Sequence, residues 1–251
     1  MVSLAAQQLQ KGNLVGLHTV KVTLKPGVTM DEFVRYWTEE YVPAFNSMDQ
    51  GWKLIPLKSL RGEVPKDNLG MLFIINSEKD RDKFYNPDGS PSDISKVTDE
   101  KMKSYNDKMD KLATTESIYT DWIVTGNKEP LSQHDLKKGN LLGTHVIKVE
   151  LKPGVTMEQY SAALNDKMSP EFTKVVPTWH SYVLKKVRGD AKEDYGLLYV
   201  VDSEKDRDKY FNPDGTSNEE MAKASQQLKS QEEINKLGSY TSVWYADWVI
   251  L

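Results

Sequence analysis

An α+β fold, two tandem βαββαβ units closed into a single-chain pseudo-dimeric barrel, is what the sequence predicts, on three observations. The first is an internal repeat. Lys11–Met30 (KGNLVGLHTVKVTLKPGVTM) returns as Lys138–Met157 (KGNLLGTHVIKVELKPGVTM), and Ser77–Lys83 (SEKDRDK) returns unchanged as Ser203–Lys209. Repeats of a solenoid run to about 20–45 residues, so a period this long marks a duplicated domain. The second is that hydrophobic patterning gives both copies one order of elements. The third is geometric: two helices cover only one face of a four-stranded sheet, so the other face of each copy must be buried against its twin.

Taken in order, Leu17–Leu24 and Thr144–Leu151 alternate as strands, with His18, Val20, Val22 and Leu24 on one face. Lys-Pro-Gly turns the chain, and Thr29-Met-Asp-Glu32 is a capping box that opens a helix to about Phe45, repeated as Thr156-x-x-Gln159. Trp52–Leu60 and Trp179–Val187 read as second strands ending in Arg-Gly loops. Leu69–Ile75 and Leu197–Val201 read as third strands, apolar enough to be buried on both faces. Ser77 and Ser203 cap a short helical stretch stopped by Asn-Pro-Asp-Gly. A longer helix follows over about Asp93–Ala113 and Asn218–Lys236, then a last strand over Ile118–Val124 and Val243–Ile250. This order is the ferredoxin-like split pattern. The units are residues 11–124 and 138–251, joined by a polar linker, 125–137, in which His134 is solvated.

Composition excludes several classes of function. Lys and Arg number 33 against 37 Asp and Glu, a net charge of −4, which argues against a nucleic-acid partner. Cysteine is absent, which removes disulfides, thiolate catalysis and Cys-ligated metal centres. No apolar run approaches the ~18–20 residues of a membrane span, so a soluble protein is expected. Met1–Gln8 lacks a charged n-region and an apolar stretch, which reads as a cytoplasmic N-terminus. The alternative is an exported chain in which residues 1–6 are the remnant of a trimmed signal peptide, since Ser3-Leu4-Ala5 has a small-x-small pattern. HExxH, GxSxG, Walker A and GxGxxG motifs do not occur, and no metal site is expected.

The stretch His18-Thr-Val-Lys-Val-Thr-Leu-Lys-Pro-Gly-Val-Thr-x-x-Glu, with its second copy from His145, resembles the start of the dimeric α+β barrel superfamily. Stress-responsive A/B barrel, EthD-like and NIPSNAP-like domains are the most similar members. The resemblance implies a strand-one histidine lining a small apolar cavity between sheet and helices, which maps onto His18 and His145. It also implies cofactor-independent monooxygenase, cyclase or isomerase activity, or none. The later catalytic histidine of the polyketide cyclases has no counterpart in either copy.

Among the residues themselves, His18 and His145 sit on otherwise apolar strand faces, where burial would hold an imidazole neutral and able to act as a base. Each is also readable as a core histidine with a satisfied partner. Arg61 and Arg188 follow the second strands and could hold a carboxylate or enolate, or pair with an acidic residue in the loop that follows. His180, beside Trp179, stands where the first copy has Lys53 beside Trp52, so only one copy can use it. Tyr36 and Trp37 align with Ala163 and Leu164, a large-to-small replacement that would open space in the second copy alone. The repeated charged turn and the Asn-Pro-Asp-Gly turn read as scaffold.

Three functions are compatible with this pattern. In the first, His145 or His18 serves as general base on a small hydrophobic or aromatic molecule, with Arg188 holding the developing anion and Trp179 and His180 shaping the pocket. In the second, the barrel binds a ligand without catalysis or is purely structural. The third, haem binding, rests on the resemblance in fold alone, and no cofactor is called for by any motif. The two units form an intramolecular pseudo-dimer in each case, with further self-association open.

Overall fold

The structure, a computed structural model, describes residues 9–48, 51–86, 90–126, 136–213 and 215–251. The N-terminal stretch 1–8, His134 with residues 127–135 of the linker, and residues 87–89 and 214 of the two Asn-Pro-Asp-Gly turns lie outside the described residues.

Eight antiparallel strands form one closed barrel: β1 (Leu14–Leu24), β2 (Trp52–Gly62), β3 (Leu69–Ile75), β4 (Ala113–Val124), β5 (Leu141–Leu151), β6 (Trp179–Gly189), β7 (Tyr195–Val201) and β8 (Gly238–Ile250), in the order β1-β3-β2-β8-β5-β7-β6-β4. Each copy contributes a four-stranded sheet with its first and third strands in the middle. Its free edges pair with the other copy: β2 with β8, from Leu57 opposite Ile250 to Gly62 opposite Ala246, and β4 with β6, from Thr120 opposite Gly189 to Val124 opposite Leu184. The second face is therefore buried by closure through edge hydrogen bonds, which removes every open sheet edge.

The barrel interior is solid. Val15, Ile55, Leu57, Leu72, Ile74, Trp122 and Val124 from the first copy meet Leu142, Tyr182, Leu184, Leu198, Val200, Trp248 and Ile250 from the second. Trp248 is fully buried there, and its indole N–H donates to Thr144 Oγ1 at 3.2 Å. No ligand-sized space lies inside this packing among the described residues; the room is outside, between the sheet of the second copy and its helices.

Helix one runs from α1 (Met30–Tyr36) through a π turn (Trp37–Tyr41) into α2 (Val42–Ser47). The second copy repeats it as α5 (Met157–Ala163), a π turn (Leu164–Met168) and α6 (Ser169–Val175). Pro43 and Pro170 explain the wide turn. A proline lacks the N–H for the α ladder and its ring crowds the carbonyl four residues back. The widened turn absorbs both, its closing bonds running from the Val42 and Ser169 N–H to the Trp37 and Leu164 carbonyls.

The remaining helices are α3 (Glu78–Arg81), α4 (Asp93–Leu112), α7 (Glu204–Asp208), α8 (Glu219–Gln226) and α9 (Ser230–Leu237). The single long helix expected over Asn218–Lys236 is corrected to two. It breaks at residues 227–229, and the Glu171 carboxylate of α6 accepts from the Lys229 and Ser230 N–H at 3.0 and 2.8 Å, satisfying the new helix start. From helix cap to last strand the second copy is one residue shorter, Asn218 to Gly238 against Ser92 to Ala113, and β8 regains that residue. His145 faces Tyr245 and Val146 faces Trp244, but Ile147 faces Ser242, so Val243 is bulged out of a ladder that is regular in the first copy.

Candidate functional site

Strand alternation sets which side chains face the helices. In β5, Leu142 and Thr144 point into the barrel while Gly143, His145 and Ile147 point outward. In β6, Tyr182 and Leu184 point inward while Trp179, Ser181 and Val183 point outward. The outward face of the second copy, roofed by the second π turn, α6, α8 and α9, borders a cavity of about 440 Å³. That size falls within the ~300–1,000 Å³ of small-molecule sites.

Four paired positions account for a cavity here and packing in the other copy. Tyr36 and Trp37, buried in the first copy, become Ala163 and Leu164. Val42, at the start of α2, becomes Ser169 at the start of α6. Leu54, opposite Phe73, becomes Ser181, opposite Tyr199. In the first copy Phe33, Trp37, Val42 and Leu54 close together with Phe45 and Phe73, and the Tyr36 hydroxyl is spent on the Tyr105 carbonyl at 2.7 Å. In the second copy Ser169 Oγ donates to the Ser181 carbonyl at 2.7 Å and Ser181 Oγ to Ser169 Oγ at 2.8 Å, which leaves a small polar step on an apolar wall.

His145 stands on the floor of this cavity. Its ring stacks on Tyr245 (centroids 5.7 Å apart) and meets the edge of Tyr199 at 5.4 Å, and Nδ1 lies 2.9 Å from Ser242 Oγ. Burial pushes its pKa down to about 4, so the ring is neutral at physiological pH. Desolvation raises the hydroxyl of the partly buried Tyr199 well above the usual range, and that hydroxyl donates to Tyr240. Trp179 forms part of the wall, with its indole N–H buried and without a partner among the described residues. Leu164, Met168, Phe172, Val183, Leu197 and Leu228 supply the apolar surface.

At one end of the cavity Arg207 meets Asp247, Nε to Oδ2 at 3.2 Å. Burial raises the Asp247 carboxyl and the two nearby guanidiniums oppose that rise. The second guanidinium is Arg61 of the first copy, which crosses the β2–β8 seam to reach Asp247 (3.5 Å), Glu204 (2.5 Å) and Asp208 (3.2 Å). Arg188 makes the reverse crossing, with Nε 2.6 Å from Asp121 Oδ2 and its guanidinium over the rings of Tyr85 and Tyr119.

These placements correct several expectations. Arg188 belongs with His18 and not with His145, so it cannot hold an anion formed at His145. Neither arginine pairs with its own following loop, because the edge pairing carries each onto the opposite copy. His180 is buried on the barrel side of β6, opposite Val200, and takes no part in the cavity wall. His18 sits in a filled pocket between Phe73 (4.9 Å) and Tyr119 (5.2 Å), its pKa lowered by burial, with Asp121 opposing and Arg188 adding to the shift. Trp52 packs on Phe73 and Phe84 with no cavity before it. The motifs read as scaffold also reach the site, since Arg207 and Gly215 line it. Ser169 and Ser181 were legible by carrying the alignment of the copies past Leu164. Ser242 was not, because its position depends on a bulge.

Among the described residues no three of His, Asp and Glu gather as a metal site, and no helix is long and apolar enough to cross a membrane. No family model matches the chain, and no curated protein matches it with significance. Among solved structures the chain is similar to an anthrone oxidase-like protein at 13% identity, over 98% of this chain and 94% of that one, with a TM-score of 0.47. It is similar to chlorite dismutase from Candidatus Nitrospira defluvii in complex with imidazole at 10% identity, over 96% and 92%, with a TM-score of 0.48. A candidate monooxygenase from Lactobacillus acidophilus NCFM gives 12% identity, over 95% and 94%, with a TM-score of 0.48.

Proposed function

We propose that the second copy binds a small, largely apolar, aromatic molecule between sheet and helices, and that His145 accepts a proton from it. The observation that carries this reading is the asymmetry: one copy is packed with aromatics where the other holds a cavity floored by a neutral imidazole. Leaving such space unfilled costs stability, on the order of 24 cal/mol per Å³ in core truncations, and a ligand that fills it repays that cost. Before substrate binds, the imidazole is a weak base. An anion formed on bound substrate would favour the imidazolium and strengthen it at the moment of transfer. Cofactor-independent oxidation, cyclisation or isomerisation all begin with such a proton transfer.

A non-catalytic binding role is favoured by a different observation. Among the described residues His145 is the only histidine on the cavity wall, and the charged groups there, Arg207 and Asp247, neutralise each other. Haem fits poorly. Its two carboxylates need positive partners, and the one cation on the wall is already paired.

Refilling the cavity tests the reading. Leu164→Trp restores the first copy's side chain, and is expected to abolish binding of aromatic probes by calorimetry while the far-UV spectrum is unchanged. Equal binding by wild type and Leu164→Trp sinks the proposal. Loss of turnover in His145→Ala with binding retained separates enzyme from binder. An absorption spectrum of the purified chain showing a Soret band would revive haem.

A further inference from the structure

Building on that reading of the cavity, the hydrogen bonds around His145 define what class of ligand it takes. Ser242 Oγ contacts two groups, His145 Nδ1 at 2.9 Å and the Trp244 carbonyl oxygen at 3.2 Å. A serine hydroxyl has one proton. The carbonyl can only accept, and turning the Oγ lone pairs toward it would set two lone pairs against each other. The proton therefore goes to the Trp244 carbonyl, and Oγ accepts from Nδ1–H. A neutral imidazole with its proton on Nδ1 has a bare lone pair on Nε2, and the one hydrogen bond of this ring among the described residues is the Nδ1 contact. The neighbouring polar step offers the same polarity, because both serine protons are used within the Ser169–Ser181 pair. The Trp179 N–H remains as a buried, unused donor. No surplus positive charge faces the cavity: two guanidiniums, Arg61 and Arg207, stand against Glu204, Asp208 and Asp247.

We infer that the cavity selects an uncharged aromatic ligand that donates a hydrogen bond through a hydroxyl to Nε2 of His145, and that Ser242 is the positioning residue that keeps this nitrogen free of its proton. A carboxylate or phosphate would meet a lone pair instead of a proton and would lack a free cation. An ether of the same shape would cover the imidazole lone pair without answering it. The bulge at Val243 has a purpose in this arrangement: it turns Ser242 toward His145, whereas the regular β1–β4 ladder leaves His18 Nδ1 buried without a partner among the described residues.

The test uses the full chain and three matched probes, 2-naphthol, 2-methoxynaphthalene and 2-naphthoate, with 15N NMR of the histidine rings. The expected spectrum shows His145 protonated on Nδ1. Ser242→Ala moves the ratio toward Nε2–H, and Ser242→Thr restores it. Naphthol is expected to bind at least about tenfold more tightly than its ether or the carboxylate, the usual consequence of leaving one buried polar group unpaired. In Ser242→Ala that preference shrinks. Finding Nε2–H in the wild type, or a ratio untouched in Ser242→Ala, overturns the role of Ser242. Naphthoate binding as well as naphthol overturns the ligand class while leaving the cavity a binding site. Binding of none of the three overturns the ligand reading of the cavity and the class with it.

Discussion

Two buried residues carry opposite pH signatures, and the difference between them can be measured. His145 is held neutral by burial, with a pKa near 4 against 6.5 in the unfolded chain, so below 6.5 the unfolded state binds more protons. Its contribution to stability is complete above pH 6.5 and is lost as the pH falls toward 4, on the order of 3 kcal/mol in all. Asp247 works the other way. Its raised pKa weakens the fold once the carboxyl ionises, so acid relieves it. Urea melts of wild type and His145→Gln isolate the first effect: the gap between their stabilities is expected to close in favour of the variant between pH 7 and pH 4. A gap independent of pH would show that His145 is not buried as a neutral ring. Asp247 is nonetheless needed as a partner, because Arg207 is 3% exposed and lies beside it. Glu204→Gln, which removes an exposed contact of Arg61, is expected to cost no more than about 1 kcal/mol.

At the scale of elements, the seams depend on two glycines. Gly62 and Gly189 end β2 and β6 at φ of 104° and 107°, and a Cβ on either would overlap a backbone carbonyl of the opposite copy, Tyr245 for the first and Tyr119 for the second. Backbone in a seam cannot move aside. Gly189→Ala is therefore expected to cost about 3 kcal/mol or more, the left-handed penalty of about 1–2 plus the clash. Gly12→Ala has φ of 90° but open space around it, so only the first part applies; thermal melts of the two variants that coincide would place the seam elsewhere. Much of this level was legible in the sequence. The repeat, the strand alternation around His18 and His145, and the Thr29 and Thr156 caps gave the order of elements, and both threonines do accept the expected N–H bonds, from Glu32 and Gln159. What was not legible came from events that leave no periodic trace. The break at 227–229 and the bulge at Val243 are a lost and a regained residue, and only tertiary partners, Glu171 and His145, fix where each falls. The arginine pairings failed for a related reason. Local sequence offers Arg61 the acids of its own loop, whereas edge pairing delivers it to Glu204 and Asp208.

The whole molecule is held at two seams, and each reuses the same side chains in mirrored roles. Arg61 of the first copy reaches Glu204, Asp208 and Asp247 of the second, and the residues equivalent to those acids in the first copy are Glu78, Asp82 and Asp121. A second first copy could therefore offer Arg61 the same acceptors. Residues 9–126 expressed alone would expose the edges of β2 and β4 and one whole barrel-facing side, with Val15, Ile55, Leu57, Leu72, Ile74, Trp122 and Val124 uncovered. An apolar face of that kind does not remain in water, and a twofold arrangement would cover it with identical surfaces. The fragment is thus expected to form a homodimer by light scattering, with β2 of one chain on β4 of the other, and Arg61→Ala is expected to weaken it. That dimer would be a closed barrel with both outer pockets filled by Tyr36, Trp37, Val42 and Leu54, so it would show no affinity for the naphthol that the full chain binds. A stable folded monomer of the fragment would mean that each copy buries its second face unaided, and closure would then not be what holds the two units together.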